Sequence, residues 1–259
     1  MTTLDPLFLS HGSPMLALDA GDAGRFWARL GAALPRPKAV LAVSAHWMTQ
    51  APAVSAASKP ETIYDFYGFP DPLYRVKYPT PGAPDLARRV AALLEGAGIP
   101  HAVDPARGLD HGAWVPLKSL WPAGIPAASL SVQPRLDAAF HCRVGRALAP
   151  LREEGVLVLG TGGAVHNLRE MNRDEDEGTP AWAHDFDEWL AATLASGNEH
   201  ELLDWSRRAP DPRRAHPSPE HLYPLFVAYG AAGPGARGTR LYEGFTLGSM
   251  SMAAYRFSA

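Results

Sequence analysis

The sequence predicts an α/β fold: a single domain over residues 1–259, with a central, predominantly parallel or mixed β-sheet flanked by helices. Three observations carry that prediction. Short, almost wholly apolar runs, at 39–44 and 156–160, have the length and continuity of strands covered on both faces. Between such runs lie longer stretches whose apolar residues recur every three or four positions, the period of a helix with one buried face. The 25 prolines and 24 glycines are spread over many short connections, so no linker divides the chain.

Each element follows from local pattern. Leu7-Phe8-Leu9-Ser10 is the first strand, and His11-Gly12-Ser13-Pro14 turns the chain away from its end. A helix is expected at 22–34, with Phe26, Leu30 and Leu34 on one face, stopped by Pro35-Arg36-Pro37. The second strand covers 39–44 and places His46 just past its end; a third lies at 53–57. Residues 61–81 have no period but many aromatics and prolines, and so long a connection inside a domain is commonly functional.

A helix at 84–98 aligns Leu86, Val90, Leu93, Leu94 and Ala97 on one face. A short strand at 101–103, a helix or turn from 109 to 121 and a strand at 128–132 follow. A helix at 136–151 puts Leu136, Phe140, Val144 and Leu148 in register. The strand at 156–160 runs into Thr161-Gly162-Gly163 and delivers His166. Helices are expected at 180–194 and 198–205, then an irregular segment at 209–219. Ser218 as cap and Pro219 at the first position would put His221 in the first turn of a helix reaching Tyr229. The tail, 242–257, with Met250, Met252 and Ala254 alternating, reads as a closing strand or hairpin.

Composition narrows the function. Lys plus Arg number 24 against 27 Asp plus Glu, a net charge of −3, which argues against nucleic acid or an anionic membrane as the partner. No apolar run reaches the ~18 residues of a membrane span, and the first residues lack a secretory leader pattern. The single cysteine, Cys142, excludes a disulfide within the chain and suits a cytoplasmic setting. Its place in an amphipathic stretch reads as burial. The run Asp174-Glu175-Asp176-Glu177 reads as a solvated loop. The oligomeric state is not written in the sequence.

The ten histidines carry the chemistry. His101, His141, His184 and His200 lack a strand-end or turn context and read as surface or partly packed groups. His11, His46, His111, His166, His216 and His221 fall in loops, at strand ends or at a helix start, where α/β proteins place ligands. His11 and His46 are the best placed to share a metal ion, and His221 could complete a three-nitrogen face. His216 and His221 are separated by Pro217 and Pro219 and need not point at one ion. Structural histidines satisfied by the fold are the competing reading. No CxxC pair, HExxH, Walker loop or GxSxG elbow is present, and Gly160-Thr161-Gly162-Gly163 lacks the basic residue of a phosphate loop.

Six motifs keep their order along the chain: His11-Gly12-Ser13-Pro14, Ser44-Ala45-His46-Trp47, Tyr64-Asp65-Phe66-Tyr67-Gly68-Phe69-Pro70, Asp110-His111-Gly112-Ala113-Trp114, Val165-His166-Asn167-Leu168 and His216-Pro217-Ser218-Pro219-Glu220-His221. Together they resemble the DOPA-dioxygenase type of extradiol ring-opening dioxygenases, related to protocatechuate 4,5-dioxygenase. The resemblance implies one non-haem Fe(II) per chain, with Zn(II) as an ion the isolated protein could carry. The implied ligands are His11, His46 and His221, the acid/base residue is His166, and His111 is a second active-site donor near the oxygen or the substrate hydroxyl. It also implies a catecholic substrate and O2 as reactants.

Other members use two histidines and a Glu; three histidines here lower the negative charge at the ion. Trp47, Tyr64, Phe66, Trp114 and His216 are candidates for the substrate pocket, and Arg75, Lys77, Arg169 and Arg173 for a substrate carboxylate. Two further accounts stay open at this point: a zinc-dependent hydrolase or amidase using the same open metal face, with Glu220 or Asp110 as its carboxylate, and a non-catalytic metal-binding protein on the same scaffold.

Overall fold

The computed structural model describes residues 3–172 and 178–259. The acidic run at 174–177 and Arg173 lie outside the described residues. The elements, in chain order, are β1 (Leu7–Ser10), α1 (Gly21–Ala33), β2 (Ala39–Met48), β3 (Ala53–Ser55), α2 (Pro84–Gly96), β4 (Ala102–Asp104), α3 (His111–Leu120), β5 (Ala127–Val132), α4 (Ala138–Leu148), β6 (Val156–Gly162), α5 (Ala181–Ser196), α6 (Glu199–Leu203), α7 (Trp205–Arg208), α8 (Pro212–Ala215), α9 (Tyr223–Ala232), β7 (Arg237–Tyr242), β8 (Phe245–Thr246), β9 (Met250–Ser251) and β10 (Ala254–Ser258).

Eight strands form one mixed sheet in the order β4-β3-β5-β2-β6-β1-β10-β7, and β8 pairs with β9 apart from it. The centre, β5-β2-β6-β1, is parallel. The antiparallel pairs lie outside it, at β3–β5, β1–β10 and β10–β7. This is the α/β sheet flanked by helices that the apolar runs predict. Alternation along β2 shows how both faces are covered. Val40 and Ala42 pack with Trp27, Trp114 and Leu117 from α1 and α3. Leu41 and Val43 pack on the other face with Val90, Val144 and Phe226 from α2, α4 and α9. Every residue of α9 is buried, as a helix apolar on all sides requires. Among the described residues no helix is long and apolar enough to cross a membrane.

The differences from the expected elements have local causes. β2 runs on to Met48, so His46 belongs to the strand rather than following it. α4 starts at Ala138 because Asp137 caps it, accepting the Phe140 N–H at 2.8 Å; Leu136 therefore lies outside the helix and is exposed. The stretch 198–205 splits into α6 and α7, and the irregular 209–219 contains the short α8. His221 precedes its helix. Residues 219–222 make a turn, and α9 begins at Tyr223 with Pro224 in its first positions. Ser218 bonds Glu220 at 3.0 Å and caps nothing. His141, read as surface or partly packed, is wholly buried, and Cys142 beside it is buried as expected.

Candidate metal centre

β1, β6 and β2 lie side by side and parallel, and the histidines sit at or beyond their carboxyl ends. That is the edge at which open α/β sheets take ligands. His11 follows β1 and extends its ladder, donating its N–H to the Gly162 carbonyl at 2.9 Å. His221 is held against the end of β6, where its carbonyl accepts the Gly163 N–H at 2.9 Å. A Cβ on Gly162 would stand 1.9 Å from that carbonyl oxygen, so only glycine permits the approach.

His46 is tied from below. Its N–H donates to Ser44 Oγ at 3.2 Å, and Ser44 Oγ donates to Asp110 Oδ1 at 2.5 Å. Asp110, with no exposure, caps α3 through the Ala113 N–H and pairs with Arg107 at 3.1 Å. A buried carboxylate needs such partners. The first residue of α3 is His111, so the same cap fixes both histidines.

The ring nitrogens converge. His11 Nε2 lies 2.9 Å from His46 Nε2, which lies 3.3 Å from His221 Nε2. Behind two of these rings stand carboxylates. Asp65 Oδ2 is 3.1 Å from His46 Nδ1, and Glu220 Oε1 is 2.9 Å from His221 Nδ1. An ionised carboxylate only accepts, so both Nδ1 atoms carry the hydrogens and both Nε2 atoms present lone pairs. Lone pairs aimed at one another repel unless a cation lies among them. Two nitrogens at right angles around an ion, each about 2.1 Å from it, lie about 3 Å apart. The observed separations fit a single ion held by His11, His46 and His221, with oriented carboxylates one imidazole out.

Two more histidines border this cluster. His166 stacks flat on His221, with ring centroids 3.5 Å apart and planes 5° from parallel. Its backbone N–H donates to the Ala215 carbonyl at 3.0 Å. Burial and the neighbouring His216 push its pKa down to about 3, so the ring is neutral at physiological pH. The His111 ring lies 4.0 Å from that of His46, and its Nδ1 is 3.0 Å from Asp65 Oδ2. Burial lowers the pKa of His111 despite Asp65. Burial also lowers those of His11 and His221 well below the usual value, reinforced by the other histidines. For Asp65, burial works upward, but hydrogen bonds from His111 and His46 overcome it and hold the carboxyl far below its ordinary range.

The aromatic candidates divide by position. Phe66 borders the cluster, its ring 5.6 Å from that of His111. Trp47 is buried under the Arg107 guanidinium, 5.1 Å from the ring centroid. Tyr64 donates its hydroxyl to the Val76 carbonyl at 2.7 Å, and Trp114, wholly buried, donates to the Ile63 carbonyl at 3.0 Å; both support the 61–81 segment. His216 lies a layer back between Phe186 and Trp205 and donates to the Ala164 carbonyl at 2.9 Å. Arg75, Lys77 and Arg169 are exposed.

Two carboxylates beside the cluster have roles that the sequence does not show. Asp65 stands in the sequence only as an acid inside an aromatic run, and Glu220 only as a candidate carboxylate of the hydrolase account, not as a partner of His221. They place negative charge directly behind the rings of His46 and His221.

Comparison with known proteins agrees with this architecture. Residues 5–257 match the family model of the catalytic LigB subunit of aromatic ring-opening dioxygenase. The chain is 43% identical over 261 residues to 4,5-DOPA dioxygenase extradiol of Beta vulgaris, covering 98% of this chain and 97% of that protein. It is 41% identical over 256 residues to the protein of that name from Escherichia coli K12, covering 97% and 93%. The crystal structure of the uncharacterized protein JW3007 from Escherichia coli K12 superposes with a TM-score of 0.82 at 37% identity, over 98% of this chain and 99% of that one. Likeness of this extent in sequence and in fold leaves one assignment: the chain belongs to the LigB family and is an extradiol aromatic ring-opening dioxygenase.

Proposed function

We propose that residues 1–259 form one catalytic domain that cleaves a catechol, of DOPA-like type, with O2 and a non-haem Fe(II) held by His11, His46 and His221. The observation that carries the reading is the convergence of three Nε2 atoms, two of them given lone pairs by carboxylates behind the ring. The relatives named for 4,5-DOPA extradiol cleavage supply the substrate class. Iron bound there supplies the one-electron chemistry that dioxygen needs in order to react with an aromatic ring. Zn(II) suits the same nitrogens but has no redox chemistry.

The chain's own groups divide the remaining work. His11, His46 and His221 would hold the ion from one side and leave its other side free for the diol and dioxygen. His166, neutral and stacked on His221, takes the proton of a substrate hydroxyl and returns it as the ring opens. The negative charge left on the diol raises the imidazole's affinity for that proton, offsetting its depressed pKa. His111, with its Nδ1 hydrogen on Asp65, offers Nε2 as an acceptor and donates from it only after taking a proton. Phe66 walls the flat ring beside His111, and Trp47 backs the cleft.

Oxygen uptake by the Fe(II)-loaded protein over a panel of catechols, with absorbance of the yellow ring-opened product, tests the reading. Uptake is expected with diols bearing an amino-acid-like side chain, and none with monophenols. A protein that consumes oxygen with no diol would overturn the assignment. Substrate turnover by a zinc-loaded, oxygen-free sample would point to hydrolysis instead.

A further inference from the structure

Asp65 meets three donors with two oxygens. Its Oδ2 accepts from His46 Nδ1 at 3.1 Å and from His111 Nδ1 at 3.0 Å, and its Oδ1 accepts the backbone N–H of His111 at 2.9 Å. It comes from the irregular stretch 61–81, far in sequence from both histidines; the residue as a whole is exposed, but its side chain turns inward and is only 21% accessible. The backbone bond places the carboxylate at the N-terminus of the ten-residue α3, where negative charge is favoured. No other carboxylate among the described residues reaches two histidines of the cluster at hydrogen-bond distance.

We propose that Asp65 is the positioning residue that sets the tautomers of His46 and His111 together, linking metal affinity to the orientation of the substrate-side histidine through one carboxylate. The inference rests on the reading of His46 as a metal ligand. With both Nδ1 hydrogens on Oδ2, both Nε2 atoms are bare. His46 can then bind a cation, and His111 can accept a hydrogen bond. The aromatic segment that carries Asp65 thereby becomes part of the metal site.

The isosteric variant separates this role from simple structural support. In Asp65→Asn, the amide can turn its NH2 toward the two imidazoles and keep its oxygen on the His111 N–H. Every hydrogen bond is then satisfied in the metal-free protein, but the imidazole hydrogens have moved to Nε2. A cation cannot bind His46 Nε2 until that arrangement is broken.

Titration of metal-free protein with Co(II), followed by visible absorption, reads the effect directly. Asp65→Asn is expected to stay folded, with a thermal midpoint somewhat below that of the metal-free wild type because a charge the fold favours is lost, and to lose about 10- to 100-fold in Co(II) affinity. With Fe(II) at saturation, kcat falls more than KM changes, because His111 is also misdirected. Thr62→Val, which cuts the 3.0 Å bond from the Tyr78 N–H to Thr62 Oγ1 within the same segment, is expected to bind Co(II) as wild type does.

Wild-type Co(II) affinity and spectrum in Asp65→Asn would overturn the inference, as would an equal loss in Thr62→Val. If Asp65→Asn fails to fold, Asp65→Ala is read by the same titration, with wild-type affinity again the overturning result. A wild-type protein that binds no Co(II), or binds it equally after His11→Ala, would instead overturn the metal reading beneath the inference.

Discussion

Two sets of buried histidine in this protein look alike by composition and differ in what their nitrogens face. His141 is wholly buried. Its Nε2 accepts the Gln133 N–H at 3.1 Å, its Nδ1 donates to the Asp137 carbonyl at 2.7 Å, and its ring stacks on Tyr223. His11 and His221 are nearly as buried, but their Nε2 atoms both turn toward His46 Nε2. Burial drives the pKa down in both places, to about 4 for His141. A depressed pKa therefore does not tell a binding site from a packed core here. The distinction is whether the protein itself satisfies the lone pairs. At His141 the backbone does; in the cluster it does not, and a cation can.

The sharpest break of that comparison removes one imidazole from each set. His46→Ala should lose bound iron and all measurable oxygen uptake, since a two-nitrogen site holds a divalent ion poorly. His141→Ala should keep iron and turnover while lowering the thermal midpoint, because the buried Gln133 N–H loses its acceptor and the ring leaves a cavity beside Tyr223. Metal analysis beside a melting curve checks both. Iron retained by His46→Ala would remove that residue from the ligand set.

A smaller effect is expected at His166, which meets the cluster by stacking on His221. His166→Ala should hold iron as wild type does, with kcat reduced about 10²- to 10⁴-fold, the usual range for a lost acid/base group. Normal turnover would show that the stacked ring takes no part in proton transfer.

Gly112→Ala probes the packing behind His46 more gently. A Cβ there would stand 2.7 Å from Ser44 Oγ and 2.9 Å from the His46 ring, and both are fixed by Asp110. The variant should fold, with iron affinity lowered by about tenfold, as for other losses of the outer support of a metal ligand. Competition against a chelator would measure it, and an unchanged affinity would mean that His46 can shift without cost.

How far the sequence reveals this arrangement depends on whether the signal is local. β1, β2 and β6 are legible because buried parallel strands are continuous apolar runs, and the histidines at their ends stand out against them. β7 is not legible: Arg237–Tyr242 is an edge strand paired only with β10, and its polar residues hide the pattern. The position of His221 is off by a turn, because either Pro219 or Pro224 suits a helix start and nothing local chooses between them. Asp65 carries no spacing signal at all. It meets His46 from 19 residues away and His111 from 46, so only the fold pairs them. His141 fails in the opposite sense: nothing in its neighbourhood announces that the Gln133 N–H needs an acceptor.

The mildest test concerns acid stability and belongs to His141 alone. An unfolded histidine takes its proton near pH 6.5, and folded His141 does so only near 4, chiefly because burial disfavours the charged ring. Between those values the unfolded chain binds the extra proton, so its contribution to stability is complete above pH 6.5 and is lost as the pH falls toward 4. The gap corresponds to about 3 kcal/mol at most. His141→Gln keeps an acceptor for the Gln133 N–H and a donor for the Asp137 carbonyl, but has no proton to take up. Between pH 7 and pH 5 the variant should therefore lose less stability than wild type in urea unfolding of the metal-free protein. Parallel pH profiles would show that the acid sensitivity comes from groups other than His141, with His216 and the converging histidines among them.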